Sequence, residues 1–138
     1  MNQKQIQIPL KITQKLLEHA QSLPDAEVCG LIGSLDNTPV SCYHVTNTDQ
    51  HPQSKFTLDA AEQIGVFKTM REKGEQLFAI YHSHPNSPAI PSATDLALAN
   101  YPEVLYLIIS LNTKGVLELR GFYINDNNAQ EVALTLYS

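Results

Sequence analysis

The densest chemistry in this chain lies in His82-Ser83-His84-Pro85-Asn86-Ser87-Pro88-Ala89-Ile90-Pro91-Ser92-Ala93-Thr94-Asp95. It follows an apolar run, Leu77-Phe78-Ala79-Ile80-Tyr81, that reads as a buried strand. Side chains alternate along a strand, so histidines at i and i+2 project from one face. His82 and His84 can therefore reach a single metal ion, and Asp95 becomes a third ligand if the chain turns back. A catalytic zinc needs that set: three protein ligands and one open position. Simpler roles compete for each residue. A lone strand histidine is more often a hydrogen-bonded core group, and Ser92 with Asp95 has the spacing of a helix capping box. The combination of two same-face histidines beside a capping Ser/Asp pair is what chance rarely supplies. Hydrolysis also needs a base for the attacking water. Glu27, at the head of an apolar stretch, is the candidate, since partial burial would raise its pKa toward the working range. A solvated strand-end charge is the bland alternative for it.

These residues need elements to hold them. Ile6, Ile8 and Leu10 alternate as in a short strand, and Ile12, Leu16, Leu17 and Ala20 recur at helical spacing over 11–22, with Thr13 as a possible cap and Pro24-Asp25 as the stop. Residues 26–34 and 40–47 read as two strands joined through Asp36-Asn37-Thr38-Pro39, and Phe56-Thr57-Leu58 as a short extended piece. Asp59 and Glu62 open a helix by capping-box spacing, and Gly74 closes it. After the histidine strand, Pro85, Pro88 and Pro91 stiffen a loop, and Ser92 starts a short helix to about Asn100, stopped by Tyr101-Pro102. Val104–Leu111 reads as a central strand, 112–115 as a turn, and 116–124 and 129–137 as the last two strands. The expectation is a mixed α/β (α+β) domain over 1–138: a curved, largely antiparallel sheet, two main helices and one short one.

The composition narrows the classes. The chain has 138 residues, 43% of them hydrophobic and 17% charged, which suits one globular domain with a core. No apolar run approaches the ~20 residues that cross a bilayer, and no apolar leader follows Met1-Asn2-Gln3-Lys4-Gln5. Net charge is −5 without a basic cluster, so nucleic acid is a poor partner. Cys29 and Cys42 form no CxxC pair and read as reduced thiols of a cytoplasmic protein.

Glu27-Val28-Cys29-Gly30-Leu31-Ile32-Gly33, taken with His82-Ser83-His84-Pro85, the spacer 86–91 and Ser92-Ala93-Thr94-Asp95, resembles the JAMM (MPN+) metalloprotease family. That family's pattern is a distant Glu, then His-x-His-Pro, a spacer and Ser-x-x-Asp, and every position is matched. The resemblance implies a cytidine-deaminase-like MPN fold. It implies Zn2+ held by His82, His84 and Asp95, Glu27 as the base that later protonates the leaving amine, and Ser92 as a donor to the developing oxyanion. Cys29 would be structural or would line the site, while His19, His44 and His51 match no family position. The implied activity is a zinc metallopeptidase or isopeptidase that cuts an amide at the Gly-Gly tail of a ubiquitin-like or sulfur-carrier protein. The compact chain resembles the small stand-alone prokaryotic members. A non-catalytic scaffold or tail-binding module of the same fold is the alternative, but such members normally lose ligands. The branch associated with DNA repair carries an added DNA-binding region missing here, and a deaminase-type zinc site would need Pro-Cys-x-x-Cys.

Overall fold

The computed structural model describes residues 5–112 and 116–138. The elements run β1 (Gln5–Pro9), α1 (Leu10–Ser22), β2 (Cys29–Leu35), β3 (Thr38–Val45), α2 (Ala60–Lys73), β4 (Gln76–His84), α3 (Ala93–Leu98), β5 (Leu105–Ser110), β6 (Glu118–Asn125) and β7 (Asn128–Tyr137). One sheet holds all seven strands in the order β1-β7-β6-β5-β4-β2-β3. The β4–β5 and β1–β7 pairs are parallel and the rest antiparallel. The sheet curls until its edge strands β1 and β3 touch. It is thus the curved α+β fold with three helices that the hydrophobic pattern predicts.

Two apolar layers sandwich the sheet, and strand alternation sorts residues between them. On the concave side α1 supplies Ile12, Leu16 and Ala20, which pack on Val28, Ile32, Ala79, Tyr81 and Leu107. The opposite face carries Leu31, Ile80, Tyr106, Ile108 and Phe122, covered by Met70 of α2 and the segment around Ala89. Parity along β4 therefore sends Tyr81 inward to α1 and His82 and His84 to the α2/α3 face.

Local chemistry ends each element. Both β2–β3 and β6–β7 turn through residues with positive φ: Asp36 at 49° with Asn37 at 65°, and Asp126 at 51° with Asn127 at 65°. Such primed two-residue turns match the twist of antiparallel strands and favour Asp and Asn. Gly74 ends α2 with φ 74°, as its sequence position predicts.

Several boundaries differ from expectation. Thr13 does not cap α1. The N-cap is Pro9, which already fixes the extended φ there, and the Thr13 hydroxyl donates back to the Pro9 carbonyl at 3.4 Å. Asp59 caps α2 by accepting from the Glu62 amide, but the Glu62 carboxylate accepts from the Thr46 amide at 2.8 Å and ties the helix to the end of β3. The third helix stops at Leu98, before Tyr101-Pro102. Of the turn expected at 112–115, residues 113–115 lie outside the described ones.

Gly30 is the one glycine whose lack of a side chain the sheet needs next to the site. A Cβ there would lie 2.5 Å from both Cε2 and the hydroxyl of Tyr81 and would run into the Tyr43 carbonyl. Tyr81 is fully buried and its hydroxyl pairs with His19 Nδ1 at 2.7 Å, so it has nowhere to move. Gly30→Ala is expected to cost about 2–3 kcal/mol by overpacking, measured by urea unfolding. A change under about 0.5 kcal/mol, the usual size at unconstrained sites, would contradict this packing.

Candidate metal centre

The end of β4 brings three ligand atoms to one point. His82 Nε2 and His84 Nε2 are 3.1 Å apart, and each is 3.1 Å from Asp95 Oδ2. Glu27, His82 and His84 each offer a donor atom within 4.8 Å of the others. Its core is buried: Glu27 is 5% exposed and both histidines 2%.

Each side chain is aimed by a specific partner. His84 Nδ1 is 2.7 Å from the Pro88 carbonyl, an acceptor only, so Nδ1 carries the proton and Nε2 presents a lone pair. The proline loop that holds this carbonyl is itself anchored. The Ser110 hydroxyl donates to the Ser87 carbonyl at 2.7 Å, and the Ala89 amide donates to Glu118 Oε1 at 3.3 Å. The ring of His82 stacks on Phe56 with centroids 4.4 Å apart. Asp95 sits in the first turn of α3 in a full capping box: the Ser92 amide donates to Asp95 Oδ2 at 2.9 Å and the Asp95 amide to Ser92 Oγ at 3.0 Å.

Glu27 lies just ahead of β2, in register with the histidines. Cys29 pairs with His82, and one step earlier Ser83 N donates to the Val28 carbonyl at 3.0 Å while the Val28 amide donates to Ser83 Oγ at 2.9 Å. Alternation then puts Glu27 on the face of His82 and His84. Asn47 completes the clamp with four hydrogen bonds. Its Nδ2 donates to the carbonyls of Glu27 and Lys55, both at 2.9 Å, and its Oδ1 accepts from the amides of Asp49 and Thr57, both at 3.0 Å. One side chain thus joins the Glu27 backbone to the loop that carries Phe56 over His82.

The electrostatics follow from this packing. Burial pushes Glu27 up to about 7; His84 opposes this, and the neighbouring carboxylates of Asp95 and Asp49 add to it. Burial lowers His82 against the pull of Asp95. Burial also works against the charge on His84, but Asp95 and the Pro88 carbonyl outweigh it and hold the imidazole above its usual range. Burial disfavours the Asp95 carboxylate too, yet the two imidazoles hold its pKa far below the usual carboxylate range. Three acceptor-type atoms crowd around a space where one proton can satisfy only one pair. Glu27 Oε1 and His82 Nδ1 are buried without a partner among the described residues. A buried set of two imidazole nitrogens and a carboxylate oxygen, with a second carboxylate poised beside it, fits a divalent cation of the zinc type.

All five residues singled out in the sequence thus gather in one place, and the solvated alternative for Glu27 does not hold. Ser92 differs in one respect. Its hydroxyl oxygen, not only its backbone, makes the cap, which leaves the hydroxyl hydrogen as the group that can donate. Cys29 is structural: its thiol donates to the Val45 carbonyl at 3.4 Å, and burial pushes its pKa to about 12. His19 stacks on His44 with centroids 3.7 Å apart on the α1 side of the sheet, and His51 lies in an exposed loop. Sequence reasoning passed over Ser83, Asn47 and Phe56. The Asp49 amide bond to Asn47 is a local Asx turn that Asn47-Thr48-Asp49 suggests; the long-range partners leave no local mark.

Loss of the Asn47 clamp should be visible in stability alone. Asn47→Ala removes four hydrogen bonds and is expected to cost about 2–4 kcal/mol at about 0.5–1.5 kcal/mol each, less what water restores, read by denaturant unfolding of the metal-free protein. A loss below about 0.5 kcal/mol, within the range of ordinary surface changes, would mean the loop holds itself.

Comparison with known proteins agrees with this geometry. The chain matches the family described as prokaryotic homologs of the JAB domain over residues 9–121. A desampylase of Haloferax volcanii is 33% identical over 116 residues, spanning 80% of this chain and 84% of its own. A CysO-cysteine peptidase of Mycobacterium tuberculosis is 30% identical over 122 residues, spanning 87% of this chain and 83% of its own. A protein of Desulfitobacterium hafniense, solved in solution, superposes with a TM-score of 0.83 at 35% identity, covering 95% of this chain and 92% of that one. With the Glu27, His82, His84 and Asp95 cluster in place, the chain belongs to the JAB/MPN (JAMM) family, among its prokaryotic members.

Proposed function

We propose that this protein is a zinc-dependent isopeptidase that hydrolyses the amide joining the C-terminal Gly-Gly tail of a ubiquitin-like or sulfur-carrier protein to an amine. The observation that carries the reading is the convergence of Glu27, His82 and His84 within 4.8 Å, with Asp95 Oδ2 in contact with both imidazoles. The relatives named desampylase and CysO-cysteine peptidase support the class of reaction. A scaffold role would not require a complete, buried donor set, so the non-catalytic alternative is the weaker one. The whole span 1–138 is read as one domain. The two free cysteines suit a cytoplasmic protein. Among the described residues no helix is long and apolar enough to cross a membrane.

In this reading His82 Nε2, His84 Nε2 and an oxygen of Asp95 hold the ion. Bound there, Zn2+ supplies Lewis acidity, which acidifies water and polarises the scissile carbonyl. Glu27 does the proton work. Its unpartnered Oε1 takes a proton from the attacking water as the carbon–oxygen bond forms. It then returns that proton to the nitrogen as the carbon–nitrogen bond breaks, so the products are a carboxylic acid and a free amine. Its raised pKa suits a group that must accept and then give within one turnover. The Ser92 hydroxyl donates its hydrogen to the carbonyl oxygen as charge builds there; Ser92 itself is exposed, so a bound tail would be what covers it. The burial of Glu27, His82 and His84 protects their interactions from screening.

The test is cleavage of a Gly-Gly-tailed carrier joined to a lysine side chain, with zinc and with a chelator. The wild-type protein should cut only when zinc is present. Glu27→Gln, which keeps size but loses the base, should lower kcat by roughly 10²–10⁴-fold. Full activity in Glu27→Gln, or cleavage indifferent to chelation, would overturn the assignment.

A further inference from the structure

A cavity of ≈ 320 Å³ opens directly beside the cluster and shares His82 and Asp95 with it. Glu27 does not line it. Its floor and walls are Leu58, Ile80, Tyr101, Tyr106 and Ile124, with Phe56 on the side nearest the metal ligands. Among the described residues no lysine or arginine lines it and Asp95 is its one carboxylate, with the uncharged Thr57, Gln63, Thr94 and Asn100 completing the lining. The Tyr106 hydroxyl accepts from the Tyr101 amide at 3.2 Å, which fixes the ring as a wall of the cavity. At the mouth Leu98 is 63% exposed, a large apolar side chain left facing water. The size is at the low end of ligand pockets, roughly 300–1,000 Å³. It holds a side chain, not a folded partner.

Which part of the substrate reaches it follows from the chemistry. Glu27 must face the leaving nitrogen to protonate it, so the amine side of the scissile bond lies toward Glu27. A cavity built on His82 and Asp95 and not on Glu27 lies toward the acyl side. Two glycines have no side chain to fill it. An extended chain advances about 3.3 Å per residue, so two glycines carry it roughly 7 Å from the reacting carbonyl. That is about the distance along β4 from His82 to Ile80, and both residues line the cavity.

We propose that this cavity is a specificity pocket for the first non-glycine residue of the acyl chain, and that it selects a leucine-sized or aromatic side chain there. The proposal rests on the isopeptidase reading for the direction of the substrate. Phe56 then acts twice, as the cover on His82 and as the wall nearest the bound tail. A tail with a small or acidic residue before its glycines would leave the pocket empty or bury a negative charge beside Asp95.

The experiment measures binding, so it does not depend on turnover. Fluorescent tail peptides ending X-Gly-Gly with a free carboxylate, X being Leu, Ala or Asp, are titrated by anisotropy into zinc-supplemented Glu27→Gln protein. The Leu peptide should bind at least about tenfold tighter than the Ala peptide, and the Asp peptide weakest. Ala99→Phe, which fills the cavity from the end of α3, should erase the Leu/Ala difference; Gln63→Phe, from α2, replaces it if the first variant does not fold. Cleavage of the matching X-Gly-Gly-lysine conjugates by the wild-type protein should follow the same order. Equal binding of Leu and Ala peptides, selectivity that survives the filling variants, or selectivity that tracks the residue bearing the amine would each overturn the pocket. Selective binding without any cleavage would sink the isopeptidase reading and leave the pocket standing, whereas cleavage indifferent to X would sink the pocket alone.

Discussion

The antiparallel register between β2 and β4 is the constraint on which the site depends. It is set where the Ser83 amide donates to the Val28 carbonyl and the Ser83 hydroxyl accepts from the Val28 amide. A slip of one residue would turn Glu27 to the α1 side and the histidines away from it, because side chains alternate with period two. The slip is opposed on both faces at once. Tyr81 fits only over Gly30, and Ile80 and Leu31 fit only under α2. Core packing and the convergence of donor groups are therefore specified by the same pairing, which is why a buried cluster of this kind can be built on the middle of a sheet.

A buried cluster of this kind is unfavourable to fold around. Among the described residues Glu27 Oε1 and His82 Nδ1 find no partner, and two imidazoles share one carboxylate oxygen. Such groups persist only where surrounding structure over-determines them. Here the over-determination is visible in the ties around them: the Pro88 carbonyl on His84, the capping box on Asp95, Phe56 on His82, and Asn47 on the Glu27 backbone. Groups that hold a metal's ligands in place in this way tune its affinity as well as its position. The cost of convergence is what a cation would relieve.

Much of this was legible in the sequence, for identifiable reasons. The histidine pair on one face, the capping Ser92/Asp95 spacing and the alternation of the strands are local patterns, and local patterns survive into the fold. Glu27 was harder: nothing around it distinguishes a buried carboxylate from a solvated strand end, and the family resemblance pointed to it where spacing could not. Glu62 shows the opposite failure, since its capping-box spacing was real but a long-range acceptor role for the Thr46 amide won. Thr13 lost to Pro9, whose extended backbone already defined the helix start. Asn47, Ser83 and the pocket beside Tyr101 were out of reach, because each depends on partners brought together only by the sheet.

The central claim is that His82, His84 and Asp95 form one zinc site whose integrity does not depend on Glu27. Zinc titration against a chromophoric competitor, with metal content measured on the same samples, tests it most directly. The wild-type and Glu27→Gln proteins should each hold one zinc per chain, and His84→Ala and Asp95→Ala should lose it while remaining folded by circular dichroism. Zinc retained in His84→Ala, or none bound by the wild-type protein, would contradict the account.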